Sequence, residues 1–578
     1  MCGILGGVSK SSFNRDTCET ALNKISHRGP DFQKINFHNK EKLFLAHTRL
    51  KIIDLSNSAN QPIVSNCLNY ELIFNGEIFN FQELKATCNH YDFKTSSDTE
   101  VLLALYMEHG KKMLNMLNGM FAFAIFDKIN NELFIARDRF GIKQLYYAYD
   151  DGNFIFASEI PPILKFIKNV KEDKRTIKTY LTTSFYDFGP KTFFNGINRL
   201  EAGHYLKFDL LSFTYEISKW YSIEKNIFDK RSNDDALLEE LDVLLFDLID
   251  KHLISDVNIG LNISGGLDSS LLLSLVKKYR LNLHTFTQEY NGFSERSWIE
   301  KAVKKVGFKQ HFADLDFNDI AAKLNDVVKI QAEPFGGVAV IGYYYLYALA
   351  DKYNITVLLD GNGIDEIFLG YEKYRLSYLA SKRNKPIVSD GISIDGTKNI
   401  KPEVISNELL GIDGYDVPEV HYFDEKVKNI AMGDLLYTKV PRALRFNDRM
   451  SMMQSKELRV PFLDHRLVEF AYSIPAEKLI DEETTKKIVR KYSSKHISNE
   501  VAFAPKRSIQ TPQNEWMATK FVPIIDEVLH SCSFKNRGWF NVSIAKQFFY
   551  DYKKGDKANS FFIWQLVNLE LWAREYLD

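Results

Sequence analysis

The sequence predicts two unlike domains in one chain, a β-rich N-terminal half built of short strands and hairpins and an α/β C-terminal half built on a parallel sheet. Three observations lead there. The chain has 578 residues, 45% of them hydrophobic, enough for more than one buried core. Up to about residue 208, short apolar runs alternate with turn residues. Beyond about residue 236, short apolar runs alternate with longer stretches of helical periodicity.

The first half carries the runs Phe121–Phe126, Leu133–Ala136, Leu145–Tyr147 and Phe154–Ala157, each bounded by Asp, Asn or Gly, the pattern of successive strands. The last run of this kind is His204–Phe208. A polar stretch from Ser222 to Asp235 marks the boundary, giving domains 1–215 and 236–578 joined by a linker 216–235. Ala236–Leu253 has apolar residues at helical spacing. A strand at Val257–Ile263, a glycine turn, a helix from Leu271, and strands near Leu283–Thr287 and Ile355–Leu359 follow, the order of a parallel sheet with crossover helices. A polar, Gly- and Asp-rich segment, 383–426, reads as an insertion or mobile loop.

Composition excludes some roles. A net charge of −1 with 26% charged residues gives no electrostatic reason to expect nucleic acid. Five cysteines with no CxxC pair argue against a disulfide framework or structural zinc and suit a reducing cytoplasm. The longest uncharged run, Phe335–Ala350, falls short of the roughly 18–20 residues of a membrane span and reads as a helix buried against a sheet.

Cys2 is the most informative residue of the first half. Once Met1 is removed, its thiol and a free α-amine share one residue, and the amine can serve as the base for the nucleophile. Arg49 offers a cation suited to a substrate carboxylate. Asn75 and Gly76 offer an amide and an open backbone N–H, the parts of an oxyanion hole. Glu77 and Asp98 can hold an α-ammonium. A thiol, a carboxylate holder and an ammonium holder together describe a glutamine site.

With Cys2-Gly-Ile, His27-Arg-Gly-Pro-Asp31, Arg49-Leu, Phe74-Asn-Gly-Glu77, Ser97-Asp-Thr-Glu100 and Ala136-Arg-Asp-Arg-Phe-Gly-Ile-Lys143 in this order, the chain resembles the class II glutamine amidotransferases. The resemblance implies an α+β glutaminase domain of stacked antiparallel sheets with helices, as in Ntn hydrolases. It implies Cys2 as nucleophile, Asn75 and Gly76 as oxyanion hole, and Arg49, Glu77 and Asp98 as glutamine holders. Gln144 stands where that family usually has proline.

In the second half, Ser264-Gly-Gly-Leu-Asp-Ser-Ser270 lies between a strand and a helix. Its glycines let backbone N–H groups approach phosphate, the helix start adds a favourable dipole, and its serines add donors. It is not a GxxxxGK[ST] loop and looks instead like the pyrophosphate loop of ATP pyrophosphatases. Leu358-Leu-Asp-Gly-Asn-Gly-Ile-Asp-Glu366 is a second strand-end loop, and Asp268 and Asp365 read as sharing one Mg²⁺. Asn447-Asp-Arg-Met-Ser451, Leu458-Arg-Val-Pro-Phe-Leu-Asp-His465 and Thr485-Lys-Lys-Ile-Val-Arg490 resemble asparagine synthetases and related synthetase domains.

That resemblance implies an ATP site at Asn262, Ser264, Gly265, Gly266, Asp268, Ser269, Gln288, Asp360 and Gly361. It places Lys486 beside the α-phosphate, and Asn362 and Tyr371 in the acceptor loop. It implies amide formation on a carboxylate through an acyl adenylate, with ATP and Mg²⁺ as cofactors and aspartate as the default acceptor. The family's acceptor loop often reads Ser-Gly-Glu-Gly or Ser-Gly-Asp-Gly. Here it reads Asp360-Gly-Asn-Gly363, so Asn362, which cannot act as a base, stands where the family has an acid. These changes leave a sugar uronic acid or another carboxylate as an alternative acceptor. A catalytically silent protein of the same fold is the reading from another class, and a β-lactam synthetase relative is a third. The expected partners are small-molecule substrates, with no nucleic acid, no membrane span, and a homodimer as the candidate assembly.

Overall fold

The computed structural model describes residues 2–228, 233–279, 283–292, 294, 296–304, 307–382, 400–505, 511–555 and 559–578. Residues 383–399 of the polar segment and 229–232 of the boundary stretch lie outside them.

The N-terminal strands are Gly3–Ser9 (β1), Phe32–His38 (β2), Leu43–Arg49 (β3), Ile63–Val64 (β4), Tyr70–Ile78 (β5), Gly119–Asp127 (β6), Glu132–Arg137 (β7), Tyr146–Asp150 (β8), Asn153–Ala157 (β9), Ile197–Arg199 (β10), His204–Asp209 (β11) and Thr214–Lys219 (β12). They form two antiparallel six-stranded sheets, ordered β10-β8-β9-β1-β3-β2 and β12-β11-β7-β6-β5-β4. The alternation within β6 shows why the sheets stack. Ala122, Ala124 and Phe126 join Ile4, Leu43 and Leu45 of the other sheet in one core layer. Phe121, Phe123 and Ile125 point the opposite way, onto Val101, Leu102 and Leu105 of the helix Asp98–His109. Period-two patterning with both faces apolar requires cover on both sides, and the domain is an α+β stack of helix, sheet, sheet and helix.

The expectation that His204–Phe208 closes the run of strands is corrected. β12 pairs with β11 along its length. It is mostly exposed and polar, so no apolar run announces it.

The C-terminal strands Ile259–Asn262 (β13), His284–Tyr290 (β14), Lys309–Leu315 (β15), Val357–Leu359 (β16) and Glu457–Arg459 (β17) form one parallel sheet, ordered β15-β14-β13-β16-β17. The uncharged run falls largely in the helix Val338–Lys352, whose Val340, Ile341 and Tyr347 pack with Phe286 and Leu358 on one face. Helices Asp234–His252 and Leu267–Lys277 cover the other. Strand order reverses between β13 and β16, the place where such sheets open a ligand crevice.

The described part of the polar segment, 400–426, is docked rather than loose. Lys178 Nζ donates to Leu410 O (2.8 Å), Tyr415 N to Thr179 Oγ1 (2.7 Å), and Asn541 N to Val404 O (2.8 Å). These bonds tie it to the helix Lys174–Thr183 and to the C-terminal helices.

The two halves meet through buried charge. Arg28, fully buried, donates to Glu159 (2.7 Å) and, through both terminal nitrogens, to Asp448 (2.8 and 3.0 Å). Arg449 pairs with Glu159 at 3.0 Å. A second cluster joins Asp187 to Arg199 (2.6 Å) and Arg445 (2.6 Å), with Glu333 3.5 Å from Arg199. Burial alone would discharge these groups. Asp448 is nevertheless held below the usual carboxylate range, chiefly because Arg28 offsets that burial. Removing one member of a buried cluster leaves an uncompensated charge, which costs about 3–5 kcal/mol. Arg28→Ala is therefore expected to lower the calorimetric unfolding midpoint markedly, and Arg28→Lys, which restores charge without the fork, to recover only part of it.

Candidate active site

The N-terminal residues converge around Cys2. Its backbone N donates to Asn75 Oδ1 at 3.1 Å, and its thiol faces Leu50 O at 3.9 Å. Burial pushes the thiol pKa up. Asn75 lies on β5 opposite Ala122 of β6, and its Nδ2 is buried without a partner among the described residues, a donor left over for a ligand. At Gly76 a side chain is impossible: a Cβ would stand 2.1 Å from Met120 O. The glycine thus lets β5 and β6 close together.

Ser97 caps the helix Asp98–His109, accepting from Glu100 N, which sets Asp98 in the first turn. Asp98 accepts from Ile78 N at 2.9 Å. Burial lifts its pKa to about 6 and lifts that of Glu77 well above the carboxylate range, with Glu457 adding repulsion to both. Two buried carboxylates with raised pKa values favour an incoming cation. Arg49 donates to Ser56 O (2.7 Å), to Asn60 Oδ1 (2.7 Å) and to Asp54 O.

The sequence reading left several residues of this region without a role. Arg28 Nε donates to Cys2 O at 3.0 Å, so the interdomain ion cluster also grips the candidate nucleophile's backbone. Arg459 donates to Glu457 (2.6 Å), to His252 O (2.7 Å) and to Ile254 O (2.7 Å), and stands 3.7 Å from Glu77. Both arginines lie inside motifs legible in the sequence, but partners hundreds of residues away define what they do. Gln144 accepts from Arg137 (3.0 Å) and donates to Gly141 O (3.3 Å), completing by side chain the turn where proline was expected.

In the second half the strand-end loops meet at the crevice. The loop 263–266 leads from β13 into the helix Leu267–Lys277, with Gly265 at φ +69°. Ser264 N donates to Ser269 Oγ at 3.3 Å. Lys486 bridges Asp268 (2.5 Å) and Asp365 (2.6 Å). It is buried, with left-handed backbone at φ 54°, a conformation that persists only when its surroundings hold it. Asp268 and Asp365 overcome that burial and keep it charged. Gly370, also without a role in the sequence reading, makes room for this: a Cβ there would lie 2.0 Å from Asp365 Oδ1 and 2.1 Å from Lys486 Cε.

Gly361 packs against Asp268 and Ser269. Asn262 donates to Asp360 at 3.0 Å, and Asp360 accepts from Asn362 N at 3.1 Å. The amide atoms of Gln288 on β14 are buried without partners. Tyr371 donates to Glu366 at 2.7 Å. Two carboxylates converging on one ammonium beside a phosphate-type loop are a donor set that fits Mg²⁺, which takes few carboxylates and keeps phosphate and water oxygens.

An interdomain cavity is lined by Phe79, Met120, Ile142, Val460 and Leu463 together with the polar Asn118, Asp138, Arg139, His252, Asp464 and His465. Met120 is the residue pressed against Gly76, and Leu463 would stand 2.5 Å from a Cβ on Gly363. The cavity therefore borders both glycine loops.

A glutamine amidotransferase domain model matches residues 1–221, and an asparagine synthase model matches residues 240–574. The chain is 28% identical to Asparagine synthetase [glutamine-hydrolyzing] 1 of Bacillus subtilis, over 99% of this chain and 96% of that one. It is 34% identical to Putative asparagine synthetase [glutamine-hydrolyzing] 2 of Methanocaldococcus jannaschii, over 66% and 78%. It is 26% identical to Amidase chyE of Penicillium rubens, over 89% of each. Among the described residues no helix is long and apolar enough to cross a membrane. With a glutaminase-type stack ahead of an ATP-type crevice and matches that run through both, the chain belongs to the asparagine synthase family, whose ATP-using domain here follows a glutamine amidotransferase domain.

Proposed function

We propose that the chain converts a carboxylic acid to its amide, drawing ammonia from glutamine and energy from ATP. The observation that supports this reading is that one chain carries both sets of groups, the Asn75 amide beside Cys2 and Lys486 bridging Asp268 and Asp365.

At the first site, Cys2 Sγ attacks the side-chain carbonyl carbon of glutamine. Asn75 Nδ2 and Gly76 N–H donate to the oxyanion, Arg49 turns from its loop carbonyls to the α-carboxylate, and Glu77 and Asp98 hold the α-ammonium. Ammonia leaves, and water hydrolyses the thioester to glutamate. At the second site an acceptor carboxylate oxygen displaces pyrophosphate from the α-phosphorus of ATP. Lys486 offsets charge on the α-phosphate. Asp268 and Asp365 would hold Mg²⁺, which supplies charge neutralisation at the phosphates when bound. Ammonia attacks the acyl carbon and AMP departs. Asn362 cannot take the ammonium proton, so solvent or a neighbouring base does.

Aspartate, giving asparagine, is the acceptor that the names of the relatives favour. A uronic acid or other carboxylate is the second reading. Asp360 and Asn362 in the acceptor loop favour it, as does the relative named as an amidase. A silent binding protein has no chemical need for both complete sets of polar groups. The deciding experiment incubates the protein with ATP, Mg²⁺ and glutamine and screens carboxylates for stimulated pyrophosphate release. With aspartate as acceptor, asparagine and AMP appear in equal amounts by mass spectrometry. Intact glutaminase turnover with no carboxylate stimulating pyrophosphate release overturns the amidation reading.

Three further outcomes are expected. Cys2→Ala abolishes glutamine-dependent amidation, by about 10³-fold or more, and leaves amidation from free ammonia. Asp268→Asn suppresses pyrophosphate release by about 10²-fold or more while glutaminase turnover persists. The third concerns pH. An ammonium binds only the ionised form of Asp98, whose pKa burial raises to about 6. Protonation of Asp98 thus raises the glutamine KM as pH falls through about 6, by up to about tenfold per pH unit for one proton, and Asp98→Asn removes that component of the pH profile.

A further inference from the structure

Beside Tyr371 stands a cation, attracted by Asp434 and Glu366, that makes no hydrogen bond among the described residues. The chain passes through a five-residue π-helical turn, Asp434–Thr438, before the helix Val440–Met453. Such turns recur where a side chain is re-aimed at a functional site, and here the side chain is Lys439. Its ammonium lies 3.6 Å from the centre of the Tyr371 ring, and among the described residues it makes no hydrogen bond or ion pair.

The carboxylates around it are taken. Asp434 accepts from Tyr374 (2.5 Å) and Thr438 (2.6 Å) and pairs with Lys373 (2.7 Å). Glu366 accepts from Tyr371, and Asp365 pairs with Lys486. Arg442, one turn beyond Lys439, also has no hydrogen bond or ion pair among the described residues, and its guanidinium lies 5.9 Å from the ring of Tyr186. The Tyr186 hydroxyl is buried without a hydrogen-bond partner among the described residues. It would stand 3.1 Å from a Cβ on Gly336, the only atom that such a Cβ would meet. Burial, with repulsion from Lys373 and Arg442, brings the Lys439 pKa down to about 8.

Two half-buried cations one turn apart repel each other, and a buried phenol without an acceptor forfeits a bond. One anion placed among them satisfies all three. We infer that Lys439, Arg442 and Tyr186 form an anion subsite of the acceptor crevice, and that the acceptor carries a phosphate-type group in addition to the carboxylate that becomes the amide. This rests on the amidation reading and narrows its acceptor. A single carboxylate neutralises one of the two cations, and the α-ammonium of aspartate meets no uncommitted carboxylate in the set. A phosphate ester brings up to two charges and several acceptor oxygens, matching a fork, an ammonium and a hydroxyl. Gly336, where a Cβ would meet only the Tyr186 hydroxyl among the described residues, leaves that part of the wall open, while Gly337 packs against Gln513. A uronic acid carried on phosphate has this chemistry.

The test compares glucuronic acid 1-phosphate, glucuronic acid and aspartate, by calorimetric affinity and by stimulated pyrophosphate release. The phosphorylated acid is expected to bind at least about tenfold more tightly than the unphosphorylated one (about 1.4 kcal/mol). Arg442→Gln and Lys439→Gln bring that ratio towards one, while Lys439→Arg retains it. No preference for the phosphorylated acid, with carboxylate-stimulated pyrophosphate release intact, overturns the subsite and leaves the amidation reading standing. A preference unchanged in both glutamine variants overturns it as well. So does a rise in the ATP KM equal to the loss for the phosphorylated acid, because the cations then serve ATP. Failure of every carboxylate to stimulate pyrophosphate release overturns the amidation reading itself.

Discussion

The buried fork from Arg28 to Asp448, shared with Glu159 and Arg449, is the interaction on which the rest depends. It is a charge cluster taken out of water on both sides of a domain interface, and such a cluster tolerates little change of geometry. Through Arg28 Nε it holds the carbonyl of Cys2, and through Asp448 it holds the helix that begins beside the acceptor crevice. Displacing one domain would break the Arg28–Asp448 and Arg449–Glu159 pairs, both buried. The two sites are therefore fixed relative to each other by electrostatics rather than by hydrophobic contact alone. That matters for a protein in which a small neutral molecule is proposed to pass from one site to the other.

Arg459 supplies a second link. Its side chain faces Glu77, and its carbonyl accepts from Asp360 N at 2.9 Å, so one residue at the end of β17 touches the surroundings of both sites. Glu77 and Asp98 are kept short of full compensation: burial raises both, and Arg459 answers them only in part. A site left under-compensated in this way is selective for a ligand that brings the missing charge. Lys439 and Arg442 of the second domain, with Tyr186 of the first, repeat the logic with opposite sign, in cations and a phenol that lack a hydrogen-bond acceptor among the described residues.

Glycine marks where the loops must approach closely. Gly76 and Gly370 occupy positions where a Cβ would lie about 2 Å from neighbouring atoms, and each lies within or beside a cluster of functional side chains. Neither can be replaced without moving backbone or a catalytic-type side chain, which ties local sequence to site geometry more strictly than any apolar position does.

Much was legible in the sequence by itself. Period-two runs gave β6, β7 and β9, and alternating strands and helices gave the parallel sheet, because side-chain periodicity is imposed locally. Cys2, Asn75, Asp98, Asp268 and Lys486 could be singled out as candidates because their residue types sit in short motifs. β12 was not legible, because an exposed edge strand has no apolar run to betray it. The grip of Arg28 on Cys2, the double duty of Arg459 and the open cations at Lys439 and Arg442 were not legible either. A charged side chain carries no mark of whether its partner, hundreds of residues away, is present or already taken. Sequence determined which elements form and which chemistry each loop holds. Only tertiary structure decided which charges are paired, because pairing depends on distance in space and on burial, and neither is written into neighbouring residues.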